Sequence, residues 1–345
     1  MRVSKAMLAG LLLLASGPAA SQWRSLDVPA DKGWQHAQTG LVLWGKFGAF
    51  ERVSLQDRGV SEHDISTTYR TADGKSTATI FLYRPGLVDV PLWFDRSHTA
   101  LLLNPQIRVG ASASGVTRFS APGSATQNAL RIVYPLTGRP DAATGLAMIP
   151  FGDWLVAVRL TSDTMAPAAL DAALVELIGK MKWPAKIAPA KVANPVVPCP
   201  SKLKYKRAKP IQPDLAQAML ASVIGLAARD KKNAPGFTPG NLADYCLEAN
   251  AGAEYSVYRS AASTTHYVIA IGDAGAVAFV GPEFSLTGDK GRYGVMLTDH
   301  DSSDNYPAFS AMPSPRQVVD LVRASGPAAS AGRDGKTVVI TPSAQ

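Results

Sequence analysis

The sequence predicts an α+β protein of two domains, each a largely antiparallel sheet covered by helices. The chain has 345 residues, more than one domain usually contains. Segments with the period of a β-strand recur along it, and a few segments have the period of a helix. A proline-rich, basic stretch then divides the pattern in two. Hydrophobic residues form 46% of the chain and charged residues 18%, which excludes a disordered or collagen-like polymer.

Residues 1–21 have the three parts of a secretory signal peptide. Arg2 and Lys5 precede an apolar run over residues 6–15, and small residues follow that run. The run is half as long as a membrane-spanning helix, which needs about 20 apolar residues. We therefore expect an exported protein, periplasmic or secreted, with no transmembrane segment after signal cleavage.

The N-terminal domain, residues 22–183, is predicted to combine strands with two helices. Residues 153–161 alternate between two faces, as a strand does. Helices are expected near 92–103 and 166–181, and the second has an apolar stripe at helical spacing that must pack on a sheet. The other predicted strands are 41–43, 50–56, 65–70, 76–83, 130–134 and 146–149.

Three segments of this domain and its closing helix give it a resemblance to a known family. The segments are Thr-Gly-Leu-Val-Leu at 39–43, Ala-Thr-Ile-Phe-Leu-Tyr at 78–83 and Gly-Asp-Trp-Leu-Val at 152–156. Together they resemble the α/β/α sandwich of the PsbP/Mog1-like superfamily, which occurs in some exported bacterial proteins. The resemblance covers the first half of the chain. It implies a binding or accessory module, and it brings no catalytic residues with it.

Residues 184–213 are predicted to be a domain linker. They contain seven prolines and seven basic residues without an acidic one, in a chain of net charge +8. Proline at this density prevents a continuous helix and breaks a sheet ladder. An anionic envelope polymer, a lipid surface or another envelope protein would match this charge, whereas an exported protein rarely meets nucleic acid. A solvated spacer is the favoured interpretation of the segment, with an anionic partner as the alternative. The densest basic residues are Lys202, Lys204, Lys206, Arg207 and Lys209.

The C-terminal domain is predicted over residues 214–325. It begins with an alanine-rich helix over 214–229 and continues with strands at 255–259, 266–271, 276–280 and 293–298. Ser314, Pro315 and Gln317 have the pattern of a capping box that starts a short helix. Residues 326–345 are expected to be a flexible tail, with a late strand near 336–341 as the alternative.

Cys199 and Cys246 are the two cysteines of the chain. In an oxidising compartment outside the cytoplasm, a disulfide between them is expected. A catalytic cysteine is the alternative, and it would need a histidine nearby as a base.

A polar cluster at 299–305 is the segment that most resembles a metal site. Asp299, Asp301 and Asp304 can supply oxygen ligands to Ca²⁺, and His300 suits a transition metal. The spacing does not match an EF-hand loop, and aspartate, serine and asparagine are common in turns. A solvated turn is therefore the favoured interpretation, and no metal or other cofactor is expected.

Catalytic signatures such as a Gly-x-Ser-x-Gly elbow, a His-Glu-x-x-His helix or a phosphate loop are missing. Asp95 and His98 share one face of the first predicted helix, and His300 neighbours Asp301. The segment Glu62-His63-Asp64 is interpreted as a hairpin tip. We expect a non-enzymatic binding or accessory module of the bacterial cell envelope. The alternative is a periplasmic hydrolase that uses Asp95 with His98, or His300 with Asp301.

Overall fold

The structure is a computed structural model. It describes residues 23–59, 61–211, 244–283, 291–334 and 337–340. The predicted signal peptide at 1–21 and the predicted helix at 214–229 lie outside these residues. In the described part of the chain, no helix has both the length and the apolar character needed to cross a bilayer.

The first half is built mainly from strands. Its elements are β1 (Arg24–Ser25), β2 (Trp34–Gln35), β3 (Val42–Leu43), β4 (Lys46–Phe47), β5 (Phe50–Asp57), β6 (Asp64–Thr71), β7 (Ser76–Tyr83), α1 (Val90–Leu102), β8 (Thr117–Phe119), β9 (Ala129–Leu136), β10 (Arg139–Phe151), β11 (Trp154–Ser162) and α2 (Pro167–Lys180). Nine of the strands form a fully antiparallel sheet, here called the first sheet, in the order β1-β5-β6-β7-β11-β10-β9-β8, with β4 also paired with β5. A short ladder of β2 and β3 stands apart from it.

The second half forms an eight-stranded antiparallel meander, the second sheet, in which each strand pairs with the next along the chain. Its elements are β12 (Tyr245–Asn250), β13 (Tyr255–Ser260), β14 (Tyr267–Ile271), β15 (Ala276–Pro282), β16 (Tyr293–Thr298), β17 (Ser302–Phe309), α3 (Pro315–Ala324), β18 (Ala329–Gly332) and β19 (Val338–Ile340). The prediction of two antiparallel sheets is therefore confirmed. Sequence analysis missed β12 and β17.

Helix α2 packs on the outer face of the first sheet as its stripe predicts. Leu170, Leu174, Leu177 and Ile178 are buried against side chains that β9, β10 and β11 direct toward the helix. Successive side chains of a strand point to opposite faces of the sheet. One set of these side chains therefore packs under α2, and the other set lies on the opposite face of the sheet. Both faces of the central strands are thus covered, which explains why β11 is apolar and buried over all of Trp154–Val158.

Helix α1 lies between the two sheets. Its first turn is capped by Asp89, whose side chain accepts a hydrogen bond of 2.9 Å from Leu92 N. Trp93 and Phe94 join a single buried cluster with residues of both sheets, including Tyr258 and Phe279 of the second. A helix that is apolar on most of its circumference is expected to be enclosed in this way. The two halves of the chain therefore share the hydrophobic core that surrounds α1.

The predicted helical cover is not confirmed. The described residues contain three helices, and one of them, α1, serves both sheets. On the outer face of the second sheet, α3 shares the covering with an extended segment that includes Leu203 and Ala208. The protein is mostly strands.

The proline-rich segment is bound to both halves. Ala193 N donates to Gln127 O of the first half at 2.9 Å, and residues 197–211 pair with the second half. Cys199 N donates to Leu247 O at 2.9 Å, and Leu247 N donates to Val197 O at 2.8 Å. The predicted disulfide between Cys199 and Cys246 is present, with a Cα–Cα distance of 4.8 Å. A linker with prolines has few internal hydrogen bonds, so its backbone groups pair with the neighbouring sheet instead.

The tail predicted to be flexible from residue 326 instead supplies two strands to the second sheet. β18 pairs with β17, and β19 pairs with β18. Ala329 and Ala331 are buried on the inner side of β18. Their small side chains give a weak hydrophobic signal in the sequence, and the pairing with β17 supplies the backbone hydrogen bonds that order this segment.

Candidate functional site

A cavity of about 570 Å³ opens where the two sheets meet. One wall is the connection between β5 and β6, and the other is formed by the hairpins β14–β15 and β16–β17. Its polar lining is unusually rich in titratable side chains. They are Arg58, His63, Asp64, Asp273, Asp299, His300 and Asp301.

His63 and Asp301 connect the two walls. His63 Nδ1 lies 2.5 Å from Asp301 Oδ1, and Ser61 Oγ donates to the same oxygen at 2.7 Å. These hydrogen bonds lower the pKa of Asp301 to about 2. Asp301 is positioned by its own turn, in which Asp299 Oδ1 accepts hydrogen bonds from the backbone N–H groups of Asp301 and Ser302.

The second nitrogen of His63 is also occupied. His63 Nε2 lies 2.7 Å from Gln38 Nε2. Because a carboxylate accepts at Nδ1, the neutral imidazole carries its proton there, and Nε2 accepts a hydrogen bond from the Gln38 amide. Ser61 donates to the carboxylate and not to the imidazole. The cluster therefore has no hydroxyl that a histidine base activates.

His300 and Asp64 form the second connection. His300 Nε2 lies 3.5 Å from Asp64 Oδ2, and His300 Nδ1 donates to Arg84 O at 3.2 Å. Asp64 is 5% exposed, and burial raises its pKa despite the nearby charges of His300 and of Arg58, which lies 3.8 Å away. Among the described residues, Asp64 Oδ2 has no hydrogen-bond donor. A buried carboxylate oxygen in this state is poorly satisfied.

Two arginines hold the far wall in place. Arg159 Nη2 lies 2.6 Å from Asp273 Oδ2 on the rim of the cleft. Arg96 of α1 is fully buried and donates to the carbonyl oxygens of Gly252, Ala253 and Gly272 at 2.7–3.2 Å. It also donates to Ser256 Oγ at 2.9 Å. The geometry of the cleft therefore depends on how α1 docks against the second sheet.

Two glycines allow the halves to approach closely beside the cleft. Gly86 N donates to Gly275 O at 2.8 Å. A Cβ on Gly86 would lie 2.3 Å from Thr298 O, and one on Gly275 would lie 2.9 Å from His300 Cε1. Gly275 also has a φ of +100°, which favours glycine. A larger residue at either position would push the walls apart.

The predicted pair Asp95 and His98 is not brought together as a site. Asp95 Oδ2 accepts a hydrogen bond of 2.6 Å from Tyr258 OH, whereas His98 Nε2 lies 2.8 Å from Tyr134 OH. Burial lowers the pKa of His98. Each side chain has its own partner in the core between the sheets, and both lie outside the residues that line the cleft.

The three aspartates considered for a metal have other partners. Asp299 binds backbone N–H groups, Asp301 binds His63, and Asp304 Oδ1 accepts a hydrogen bond of 2.5 Å from Ser330 Oγ. In the described residues, no group of three or more His, Cys, Asp or Glu side chains is arranged to hold a metal ion. The segment forms a turn that leads into β17.

The sequence paired His300 with its neighbour Asp301 and placed His63 and Asp64 in a hairpin tip, but the structure pairs these residues across the two halves. His63-Asp64 and His300-Asp301 are both His-Asp dipeptides. In the folded chain His63 contacts Asp301, and His300 faces Asp64. The recurrence of this dipeptide in two predicted turns was a signal that could have indicated one site. The hairpin-tip interpretation of His63 and Asp64 missed it.

The basic residues of the proline-rich segment lie outside the cleft. Comparison of the chain with protein-family models, with curated proteins and with solved structures finds no match. The resemblance to the PsbP/Mog1-like superfamily therefore stays a prediction.

Proposed function

We propose that this protein is an exported binding or accessory module of the bacterial cell envelope, without catalytic activity, and that the cleft binds its ligand. One observation carries the proposal. Polar side chains from both sheets converge on a cavity of about 570 Å³, a size typical of small-molecule sites. Their hydrogen bonds position them, but they do not activate a nucleophile.

The lining indicates the chemistry of the ligand. Four carboxylates, those of Asp64, Asp273, Asp299 and Asp301, line the cleft with Arg58 as the one arginine among the lining residues. An excess of carboxylates favours a ligand that donates hydrogen bonds or carries positive charge. A small polar solute with an amine or guanidinium group fits this lining.

Two features support export. The basic, apolar and small-residue parts of residues 1–21 have the order of a signal peptide. The disulfide between Cys199 and Cys246 is typical of proteins outside the reducing cytoplasm. A periplasmic or secreted location is therefore part of the proposal, and the chain needs no cofactor for this role.

The arrangement of the first half supports the family resemblance. The first sheet has α2 on one face and α1 on the other, as an α/β/α sandwich of the PsbP/Mog1-like kind would have. Such modules bind partners, and the basic residues near 202–209 are a second surface for an anionic envelope polymer, a lipid surface or another envelope protein.

A periplasmic hydrolase is the second candidate. The observation that favours it is the orientation of His63 by Asp301, since catalytic histidines are commonly oriented by a carboxylate. Against it, Gln38 occupies the nitrogen that would act as the base, and Ser61 donates its hydroxyl hydrogen to Asp301 rather than to the imidazole.

Calorimetry with three probes tests the ligand site. Putrescine, N-acetylglucosamine and succinate represent a cationic, a neutral and an anionic solute. We expect putrescine to bind most tightly of the three, because the carboxylates line the cleft. Ala274→Trp, which places an indole in the cleft, should weaken this binding at least tenfold, whereas Ala72→Trp in the exposed hairpin between β6 and β7 should not change it.

Three outcomes would contradict the proposal. If none of the probes binds at 10 mM, the cleft is not a site for small polar solutes. Preferential binding of succinate would refute the role of the carboxylates. If the protein hydrolyses p-nitrophenyl acetate and His63→Ala abolishes the turnover, the hydrolase is the correct function.

A further inference from the structure

Residues 202–209 form an exposed row of positive charge on the outer side of the second sheet, here called the basic ridge. Leu203 and Ala208 are buried in the cluster under α3, and Tyr205 is half-buried there. The side chains between them point outward and are exposed. They are Lys202, Lys204, Lys206, Arg207 and Lys209.

The ridge is held in this conformation before any partner arrives. Lys206 N donates to Met312 O at 3.0 Å, and Gln317 Nε2 donates to Ala208 O at 2.7 Å. Ser310 N donates to Lys209 O at 3.0 Å, and the ring of Tyr205 packs edge-on against Tyr267 at 5.7 Å. A fixed row of charges loses little conformational entropy on binding.

The charge of the ridge is not neutralised by the described part of the chain. Lys202 donates to the carbonyl oxygen of Glu248. None of the other four basic side chains forms an ion pair with a described residue. The neighbouring helix α3 differs, because Arg316 pairs with Glu254 and Asp320, and Arg323 pairs with Glu254. Among the described residues, the ridge therefore places four basic side chains without an ion pair within the six positions 204–209.

We infer that the basic ridge docks the protein on an anionic lipid surface. An extended segment of eight residues spans about 25 Å at about 3.3 Å per residue, so the row can contact several headgroups at once. No large apolar side chain of the ridge is exposed, which limits the contact to the headgroup region. The ring of Tyr205 packs inward on Tyr267, so it is not available to stack on the units of a linear polymer.

The size of the effect follows from the number of charges. Each lysine or arginine near an anionic bilayer strengthens binding by about fivefold, and the attraction falls off within a Debye length of about 10 Å at 0.1 M salt. Removal of two ridge charges should therefore weaken binding by about 25-fold. This inference deepens the part of the proposed function that gives residues 202–209 an anionic partner, and it rests on the expectation of export. It does not depend on the cleft.

Co-sedimentation of residues 22–345 with lipid vesicles tests the inference. We expect binding to vesicles of equal parts phosphatidylglycerol and phosphatidylcholine at 0.1 M salt, and its loss at 1 M salt or with phosphatidylcholine alone. Lys204→Gln/Lys206→Gln should weaken binding by about 25-fold. The matched control Arg316→Gln/Arg323→Gln removes the same charge from the same outer layer, but from paired side chains, and should weaken binding less than threefold.

Two results would overturn the inference. The first is absence of binding to the anionic vesicles, including the case in which the protein binds soluble polyphosphate instead. The second is an equal loss in both double variants, which would assign binding to net charge rather than to the ridge. Thermal melting checks that each variant is folded, and the salt dependence of the unmodified chain tests the inference even if a variant is not. Ala274→Trp should leave vesicle binding unchanged, so failure of the cleft proposal and failure of this inference are distinguishable.

Discussion

Replacement of Arg96 by methionine tests whether the two sheets form one structural unit. The Arg96 guanidinium is buried between α1 and the second sheet, where it donates four hydrogen bonds of 2.7–3.2 Å. Three of the acceptors are backbone carbonyl oxygens in the loop between β12 and β13 and at the end of β14. Methionine has a similar length and no donor, so these carbonyl oxygens would lose a partner.

The expected loss of stability can be worked from these contacts. A hydrogen bond to a charged group contributes about 1.5–3 kcal/mol, and the longest of the four belongs at the low end. Burial also lowers the pKa of Arg96, which shows that desolvation of the charged form offsets part of the gain. We therefore expect Arg96→Met to lower the free energy of unfolding by about 4 kcal/mol, in the range seen when one partner of a buried charged network is removed.

Urea unfolding followed by two probes measures this change. All six tryptophans lie between residues 23 and 183, so their fluorescence reports on the first half, whereas far-UV circular dichroism reports on both sheets. The two probes should give one transition for the unmodified protein if the halves unfold together. With a slope of about 3 kcal/mol per M, the midpoint of Arg96→Met should fall by about 1.3 M.

Arg139→Met is the matched control. Arg139 pairs with Asp163 at 2.9 Å, but both side chains are about half exposed, so its removal should change the free energy of unfolding by less than about 1 kcal/mol. A loss below 1.5 kcal/mol for Arg96→Met, or two separate transitions in the unmodified protein, would refute the reasoning that α1 and Arg96 unite the sheets.

Three further predictions concern the cleft and the disulfide. Hydrogen bonds hold the Asp301 pKa near 2, so ionised Asp301 stabilises the fold above its ordinary pKa near 3.8, and this contribution is lost as the pH falls from about 3.8 to about 2. Since the Asp301 side chain is 57% exposed, we expect Asp301→Asn to lower the free energy of unfolding by only about 1 kcal/mol at pH 7. Urea unfolding at pH 3 should show a smaller difference between the variant and the unmodified protein. The same difference at both pH values would contradict this prediction. Burial raises the Asp64 pKa, so ionisation of this side chain destabilises the folded state relative to the unfolded state. Asp64→Asn should therefore keep or raise the melting temperature at pH 7, and a fall of more than about 5 °C would disprove it. Cys199→Ala/Cys246→Ala removes a disulfide that closes a loop with a sequence separation of 47, and it should lower the free energy of unfolding by up to about 4 kcal/mol. Urea unfolding without reductant measures this change. An unchanged midpoint would exclude a stabilising disulfide.

Local patterns predicted many of the elements. The stripe of α2 and the capping box of α3 depend on residues within a few positions of each other, and both are present in the structure. Strands such as β7 and β11 were recognisable because their side chains alternate between two buried faces. β17 was missed because its first residues, Ser302 and Ser303, have the composition of a turn.

The candidate site could be predicted only in fragments. Asp299, His300 and Asp301 were recognised as a polar cluster, and His63 and Asp64 as a polar connection. Their contacts join residues more than 230 positions apart, such as His63 and Asp301. Neither periodicity nor spacing carries information about such a pairing, because it depends on how α1 and Arg96 place the second sheet against the first.

The sequence by itself determined the division into two strand-rich halves, the α2 helix and the pairing of the two cysteines. These features follow from local periodicity, from composition and from the redox chemistry of exported proteins. Only the tertiary structure decided that α1 is shared by both sheets, that residues 197–211 of the proline-rich segment pack on the second sheet, and that the two His-Asp dipeptides exchange partners across a cleft. The physical reason is that burial of α1 on two sides and hydrogen bonding by Arg96 are satisfied only when both sheets are present.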